Sequence, residues 1–155
     1  MKKLKILKEA FRLHHVAPFN LPHMSTTDVV VDGYFIPKGS HKLISRMGIG
    51  RNPKVWDKPL KFDPERHLSN NTCVELKEPD LNIITFGAER RGCMGADIGS
   101  AMTYMLVARL IQGFTWSPVP SESKIDISVS KSDLFMAKPL NAVVTPRLDP
   151  NVYPA

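Results

Sequence analysis

Phe86-Gly87-Ala88-Glu89-Arg90-Arg91-Gly92-Cys93-Met94-Gly95 sets a cysteine on a turn rich in glycine and arginine, immediately before a long apolar run. A thiol at the N-terminal edge of a helix meets unpaired backbone N–H groups and the positive end of the helix dipole, both of which favour the thiolate. The flanking Arg90 and Arg91 add positive charge. An anion so placed suits a nucleophile, a redox thiol or a metal ligand. A buried small hydrophobe is an equally ordinary fate for a free cysteine, and the residues alone leave these readings open.

Outward from the turn, Ile83-Ile84-Thr85-Phe86 leads into it and Gly95 to Gln112 leaves it as a helix. Ile98, Ala101, Met102, Met105, Leu106, Val107, Ala108 and Leu110 cover nearly every face, which places that helix in the middle of a core, with Gly113 closing it. Further on, Ile125, Ile127 and Val129 alternate as a strand, with Ala142 to Val144 as its expected hairpin partner. Upstream, Val29–Val31 and Tyr34–Ile36 flank Asp32-Gly33, the signature of a type I′ hairpin. The turn Pro37-Lys38-Gly39 then predicts a third strand of the same sheet over His41 to Ser45. Gly48 to Leu68, rich in proline and charge, reads as a meander with short helical turns, and Ser69 to Asp80 as an exposed polar loop. At the start, Leu4, Leu7 and Phe11 mark an amphipathic helix that stops before Pro18. It has no N-cap, and so reads as a longer helix cut at Met1.

Composition fits one soluble domain. The 155 residues carry a net charge of +6 and are 43% hydrophobic, which excludes collagen, coiled coil and wholesale disorder. A chain of this size buries roughly 68–70% of its unfolded surface and needs no disulfide staples. With only Cys73 and Cys93, and with Lys5, Lys8 and Glu9 interrupting any signal-peptide core, a secreted disulfide framework is not expected. Ile98 to Ile111 includes Arg109 and falls short of the roughly 18 apolar residues of a membrane span. Basic residues are dispersed and lack interleaved aromatics or zinc-finger spacing, so nucleic acid is not an expected partner. His14 and His15 with His23 or Cys73 show no zinc-ligand spacing and read as loop or helix-end residues.

The cysteine segment resembles the haem-binding loop of the cytochrome P450 family, F-x-x-G-x-R-x-C-x-G, at Phe86, Arg91, Cys93 and Gly95, with Glu89 in place of a glycine. The family's E-x-x-R signature stands at Glu9-Ala10-Phe11-Arg12, and its P-E-R segment at Pro64-Glu65-Arg66, followed by His67 where many members carry Phe. Their order and spacing are similar to the family over nearly the whole chain. PERH, the AMTYMLVARLIQGFTW helix and the C-terminal SDLFMAKPLNAVVTPRL and NVYP segments resemble the plant branch that N-hydroxylates amino acids to aldoximes.

That resemblance implies a mixed α+β fold, mainly α with a small antiparallel sheet, with residues 1–155 forming the C-terminal haem-binding portion of a P450. The anchor, the distal oxygen-activating helix and most substrate-contacting segments would lie outside it. It implies haem b as cofactor, with Cys93 as the axial thiolate ligand of its iron, a sulfur whose electron donation favours O–O cleavage. Arg91 would pair with one propionate and His23 would face the other; Phe86 would pack on the proximal haem face and Gly95 would complete the loop. Glu9, Arg12 and Arg66 would form a buried ion-pair triad clamping the first helix to the meander. The implied partners are an NADPH-dependent reductase and a small amino-acid substrate, on the endoplasmic reticulum membrane, in the making of glucosinolate or cyanogenic glucoside precursors. The alternative expectation is a non-catalytic remnant with at most weak haem binding; the chain by itself is expected to be inactive and poorly soluble. A small basic binding module is what remains if the resemblance is set aside. Glu89, if its backbone has the positive φ that glycine tolerates, would add strain on the order of 1 kcal/mol, giving weaker haem retention than a Glu89→Gly variant.

Overall fold

The computed structural model describes residues 2–67, 81–121, 125–130 and 136–153. The expected loop at 69–80, with Cys73 in it, lies outside the described residues. The chain forms two compact units, Met1–Ala96 and Asp97–Ala155.

The first unit opens with helix α1 (Lys2–Leu13). Leu7 and Leu13 turn inward with Lys5, Glu9 and Arg12, so the buried stripe of this helix mixes apolar and charged residues. The ladder ends where His14 N–H bonds Ala10 O, ahead of Pro18. Four short strands follow: β1 (His23–Met24), β2 (Val29–Val31), β3 (Tyr34–Ile36) and β4 (His41–Lys42). Asp32 at φ 49° and Gly33 at φ 80° make the left-handed turn between β2 and β3. The expected third strand departs from the prediction, because β4 pairs with β1 and β2 pairs with β3, giving two separate ladders. The reason is local. Ser25 N–H bonds Ser40 O and Gly39 N–H bonds Ser25 O, while the Asp28 carboxylate takes the Lys38 N–H, so the chain folds back on itself beyond the inner hairpin.

Helix α2 (Arg46–Gly50) is capped by Ser45, whose Oγ accepts the Gly48 N–H at 3.0 Å. The meander then runs to a 3-10 turn at Pro64–His67. Ile83 and Ile84 are buried with Leu7, Leu13 and Ala96 as the apolar core. Among the described residues the largest fully buried side chains are Arg12 and Glu9.

In the second unit, helix α3 (Ala96–Gly113) runs directly into strand β5 (Phe114–Pro118), which pairs along its length with β6 (Ala142–Pro146). The expected partner of Ala142–Val144 is therefore corrected: β6 takes β5, and Val129 makes only an isolated bridge to Met136. Gly113 is the last residue of the helix and not a terminator outside it. Its carbonyl receives the Tyr153 hydroxyl, and that hydroxyl in turn accepts the Arg147 and Leu148 N–H groups at 3.0 Å each. The placement of this helix in a core is also corrected: Ile98, Met102 and Leu106 are 68%, 61% and 59% exposed. Among the described residues no helix is long and apolar enough to cross a membrane.

Candidate functional site

Three of the residues singled out by sequence meet at one carboxylate. The Arg12 guanidinium grips Glu9 with both arms, Nε to Oε2 at 2.9 Å and Nη2 to Oε1 at 2.8 Å. Arg66 Nε donates to Oε1 at 3.1 Å, from the 3-10 turn. The i, i+3 spacing on α1 puts Glu9 and Arg12 on one face, and the bidentate fork suits a carboxylate. Two further donors were not apparent in the sequence. The Asp63 N–H reaches Oε1 at 2.9 Å, and His67 Nε2 lies 2.8 Å from Oε2.

Arg12 is spoken for on its other side as well. Its Nη1 donates to the carbonyls of Gly50 and Pro59, and its guanidinium lies 5.2 Å above the Trp56 ring. One buried residue thereby ties α1 to α2 and to the meander. Burial by itself would raise the Glu9 pKa. The hydrogen bonds from Arg12, Asp63 and His67, together with the Arg12 charge, outweigh it and hold that pKa at about 2.

The cysteine loop adjoins this clamp. The Phe86 ring meets the Phe11 ring edge-on at 6.0 Å, and Phe11 is the neighbour of Arg12 on α1. Phe86 O accepts the Cys93 N–H at 2.6 Å, closing the loop on itself, and Ala96 N–H bonds Cys93 O as α3 begins. Gly87 supplies the left-handed residue, φ 76°, and a side chain there would come within 3.3 Å of Arg91 O. Glu89 lies in a 3-10 turn, Glu89–Arg91, with helical backbone. The expected strain at Glu89 is therefore corrected, because the loop takes its positive φ two residues earlier.

Cys93 is free and exposed. A Cβ placed on Gly95 would make an ordinary van der Waals contact with Sγ at 3.8 Å, which places Gly95 next to the sulfur. Arg46, half-buried at the start of α2, is close enough to Cys93 to feel its charge. Burial lowers the Arg46 pKa and Cys93 opposes that lowering. Arg46 Nε is held by Asn20 Oδ1 at 2.7 Å. Nothing in the sequence signalled this arginine as a neighbour of the thiol, since the two stand 47 positions apart in the chain. Arg91 and His23 are exposed on separate elements, the 3-10 turn and β1. His15, read from sequence as a loop or helix-end residue, is buried; neither ring nitrogen has a hydrogen-bond partner. Among the described residues no group of His, Cys, Asp and Glu gathers as a metal site.

An exposed thiol on a tight turn, with Arg46 near it, can serve as a nucleophile, a redox thiol or a single ligand to a metal.

Residues 4–146, with this loop inside them, match the cytochrome P450 family. The chain belongs to that family, whose members bind haem and its iron. It is 83% identical over 148 residues to phenylalanine N-monooxygenase of Arabidopsis thaliana, which covers 96% of this chain and 28% of that protein. It is 53% identical to tyrosine N-monooxygenase of Sorghum bicolor and 52% identical to tryptophan N-monooxygenase 1 of Arabidopsis thaliana, each over 96% of this chain and over 27% and 28% of those proteins. Among solved structures, a zebra fish cytochrome P450 with abiraterone superposes with a TM-score of 0.78 at 30% identity, over 95% of this chain and 34% of that one. The fold is thus part of the P450 fold, mixed α and β, and the chain spans about 28% of the length of the curated relatives it matches.

Proposed function

We propose that this chain is the haem-holding portion of an amino-acid N-monooxygenase, with an aromatic amino acid, phenylalanine first, as the substrate of the whole enzyme. The observation that carries the reading is 83% identity to a phenylalanine N-monooxygenase sustained across 96% of the chain.

Cys93 is the residue that would hold haem iron, by its exposed sulfur, and haem when bound supplies the oxygen-activating chemistry of the reaction. The loop closure from Cys93 N–H to Phe86 O sets the direction of the sulfur, and Arg46 offers it a nearby positive charge. Phe86 would pack against the haem, and Arg91 and His23, both exposed, would turn toward its propionates. The clamp at Glu9, Arg12 and Arg66 keeps α1 and the meander fixed beneath the loop. An NADPH-dependent reductase supplies electrons, at the endoplasmic reticulum membrane, and the product is an aldoxime that feeds glucosinolate or cyanogenic glucoside synthesis.

The test is to load the chain with haem, add a plant P450 reductase and NADPH, and offer phenylalanine, tyrosine and tryptophan separately. Aldoxime from phenylalanine supports the full reading. Haem uptake with no aldoxime from any of the three confines the chain to haem holding, and no haem uptake overturns the proposal.

A further inference from the structure

We propose that His67 is a positioning residue for the Cys93 loop, acting as the hydrogen-bond donor that fixes the outer oxygen of Glu9. This rests on the haem-thiolate reading only in what the positioned sulfur is for.

The geometry carries it in four steps. Glu9 is fully buried and its carboxylate meets donors on both oxygens. Oε1 is held three times, by Arg12 Nη2, the Asp63 N–H and Arg66 Nε, whereas Oε2 is held by Arg12 Nε and His67 Nε2. The His67 side chain is 5% exposed and stands edge-on to the Trp56 ring at 5.9 Å, so its ring is fixed by packing as well as by the carboxylate. The same Trp56 ring carries the Arg12 guanidinium on its face. His67 therefore touches both halves of the buried pair, the anion directly and the cation through a shared indole.

From there a continuous set of contacts leads to the thiol. Arg12 adjoins Phe11 on α1, Phe11 packs on Phe86, and Phe86 O holds the Cys93 N–H. An apolar ring at position 67 would keep the Trp56 contact and leave Oε2 one donor short. A buried carboxylate missing a donor loses stabilisation and rotates toward its remaining partners. Such a rotation would shift Arg12, and with it the helix face that Phe86 rests on. Facing a carboxylate, Nε2 carries the proton, which it does both in the Nε2–H neutral tautomer and in the protonated ring, so the contact does not depend on charge.

The experiment compares the unaltered full chain with His67→Phe, which keeps a ring and removes the donor, and His67→Gln, which places an amide N–H where Nε2 stands. Amide hydrogen exchange is read at Cys93, with the Gly39 amide, bonded to Ser25 O far from the clamp, as the internal control. The expected result is an increase of about tenfold at Cys93 in His67→Phe, recovered in His67→Gln, with Gly39 unchanged. No change at Cys93, an equal rise at Gly39, or failure of the glutamine to restore protection would each overturn the proposal. Haem content is measured alongside. If the unaltered chain takes up no haem, the proposed function fails while the exchange comparison still decides the role of His67. If haem is bound, the thiolate-type fraction of the reduced, CO-bound spectrum is expected to fall in His67→Phe and return in His67→Gln.

Discussion

The Phe11 ring meets the Phe86 ring edge-on at 6.0 Å, and this contact joins the charged clamp of α1 to the loop that carries Cys93. On one side of it Arg12 holds Glu9 and the carbonyls of the meander; on the other, Phe86 O holds the Cys93 N–H. A chain of contacts thus runs from the buried ion pair to the cysteine loop, although the pair does not touch the thiol.

Replacing Glu9 with Gln keeps the shape and removes the charge, leaving Arg12 and Arg66 facing each other across a neutral amide. Breaking a buried pair in this way costs roughly 3–5 kcal/mol. Urea denaturation of Glu9→Gln against the unaltered chain should show a loss in that range. A change below about 1 kcal/mol, the worth of an exposed pair, would show that the clamp is not what holds the unit together.

The same carboxylate makes stability fall in acid. Its folded pKa of about 2 lies below the ordinary 4.5, so its contribution is fully present above 4.5 and is lost as pH falls from there toward 2. The difference is worth about 3 kcal/mol. Denaturation midpoints measured through this window should drop in the unaltered chain and drop less in Glu9→Gln.

His15 adds a second acid-sensitive window at higher pH. Burial first, then the charges of Arg46, Arg51 and Arg12, lower its pKa from 6.5 to about 4. A backbone contact at Arg46 opposes this lowering without cancelling it. The ring is neutral in the folded chain while the unfolded chain takes up a proton below 6.5, so stability declines between 6.5 and 4 by up to about 3 kcal/mol. His15→Leu should flatten this part of the profile; an unchanged slope would mean that the ring is solvated.

Backbone closeness at Gly50 gives a steric prediction. A Cβ there would run into the Arg12 carbonyl oxygen and come within 2.8 Å of His15 Nε2. Because the obstacle is backbone, Gly50→Ala should lower stability by about 1–3 kcal/mol. The loss should appear together with weakened protection of the α1 amides in hydrogen exchange.

In the cysteine loop the sensitive glycine is Gly87 and the tolerant position is Glu89. Gly87→Ala meets a positive φ and a contact with Arg91 O, and should reduce haem occupancy after reconstitution; the backbone cost is on the order of 1 kcal/mol or more. Glu89→Gly relieves no backbone strain, since Glu89 is already helical, and should leave occupancy unchanged. Higher occupancy in Glu89→Gly would reinstate a cost at that residue.

How far the sequence could be read follows from the range of each signal. The Asp32-Gly33 turn and the paired Glu9 and Arg12 were legible because their geometry is local: two positive φ values in the first case, one helical turn in the second. The partner of β6 was misassigned because Phe114–Pro118 follows α3 without a break, and a glycine read as a terminator hid the strand behind it. The donors from Asp63 and His67 come from more than fifty residues away, and nothing in a single sequence says that a histidine after Pro-Glu-Arg turns back toward α1. Arg46 beside Cys93 and the burial of His15 are likewise products of tertiary packing. The exposed stripe at Ile98, Met102 and Leu106 departs from a core assignment made from composition alone, because an all-round apolar helix carries no information about which neighbours cover it.

The most direct test of the central assignment is the absorption spectrum of the haem-reconstituted, reduced chain under carbon monoxide, recorded for the unaltered chain and for Cys93→Ser. With Cys93 as the iron ligand, the unaltered chain should give the Soret band of a thiolate-ligated haem, and Cys93→Ser should lose it. A chain that takes up no haem, or a band unaffected by Cys93→Ser, would contradict the assignment.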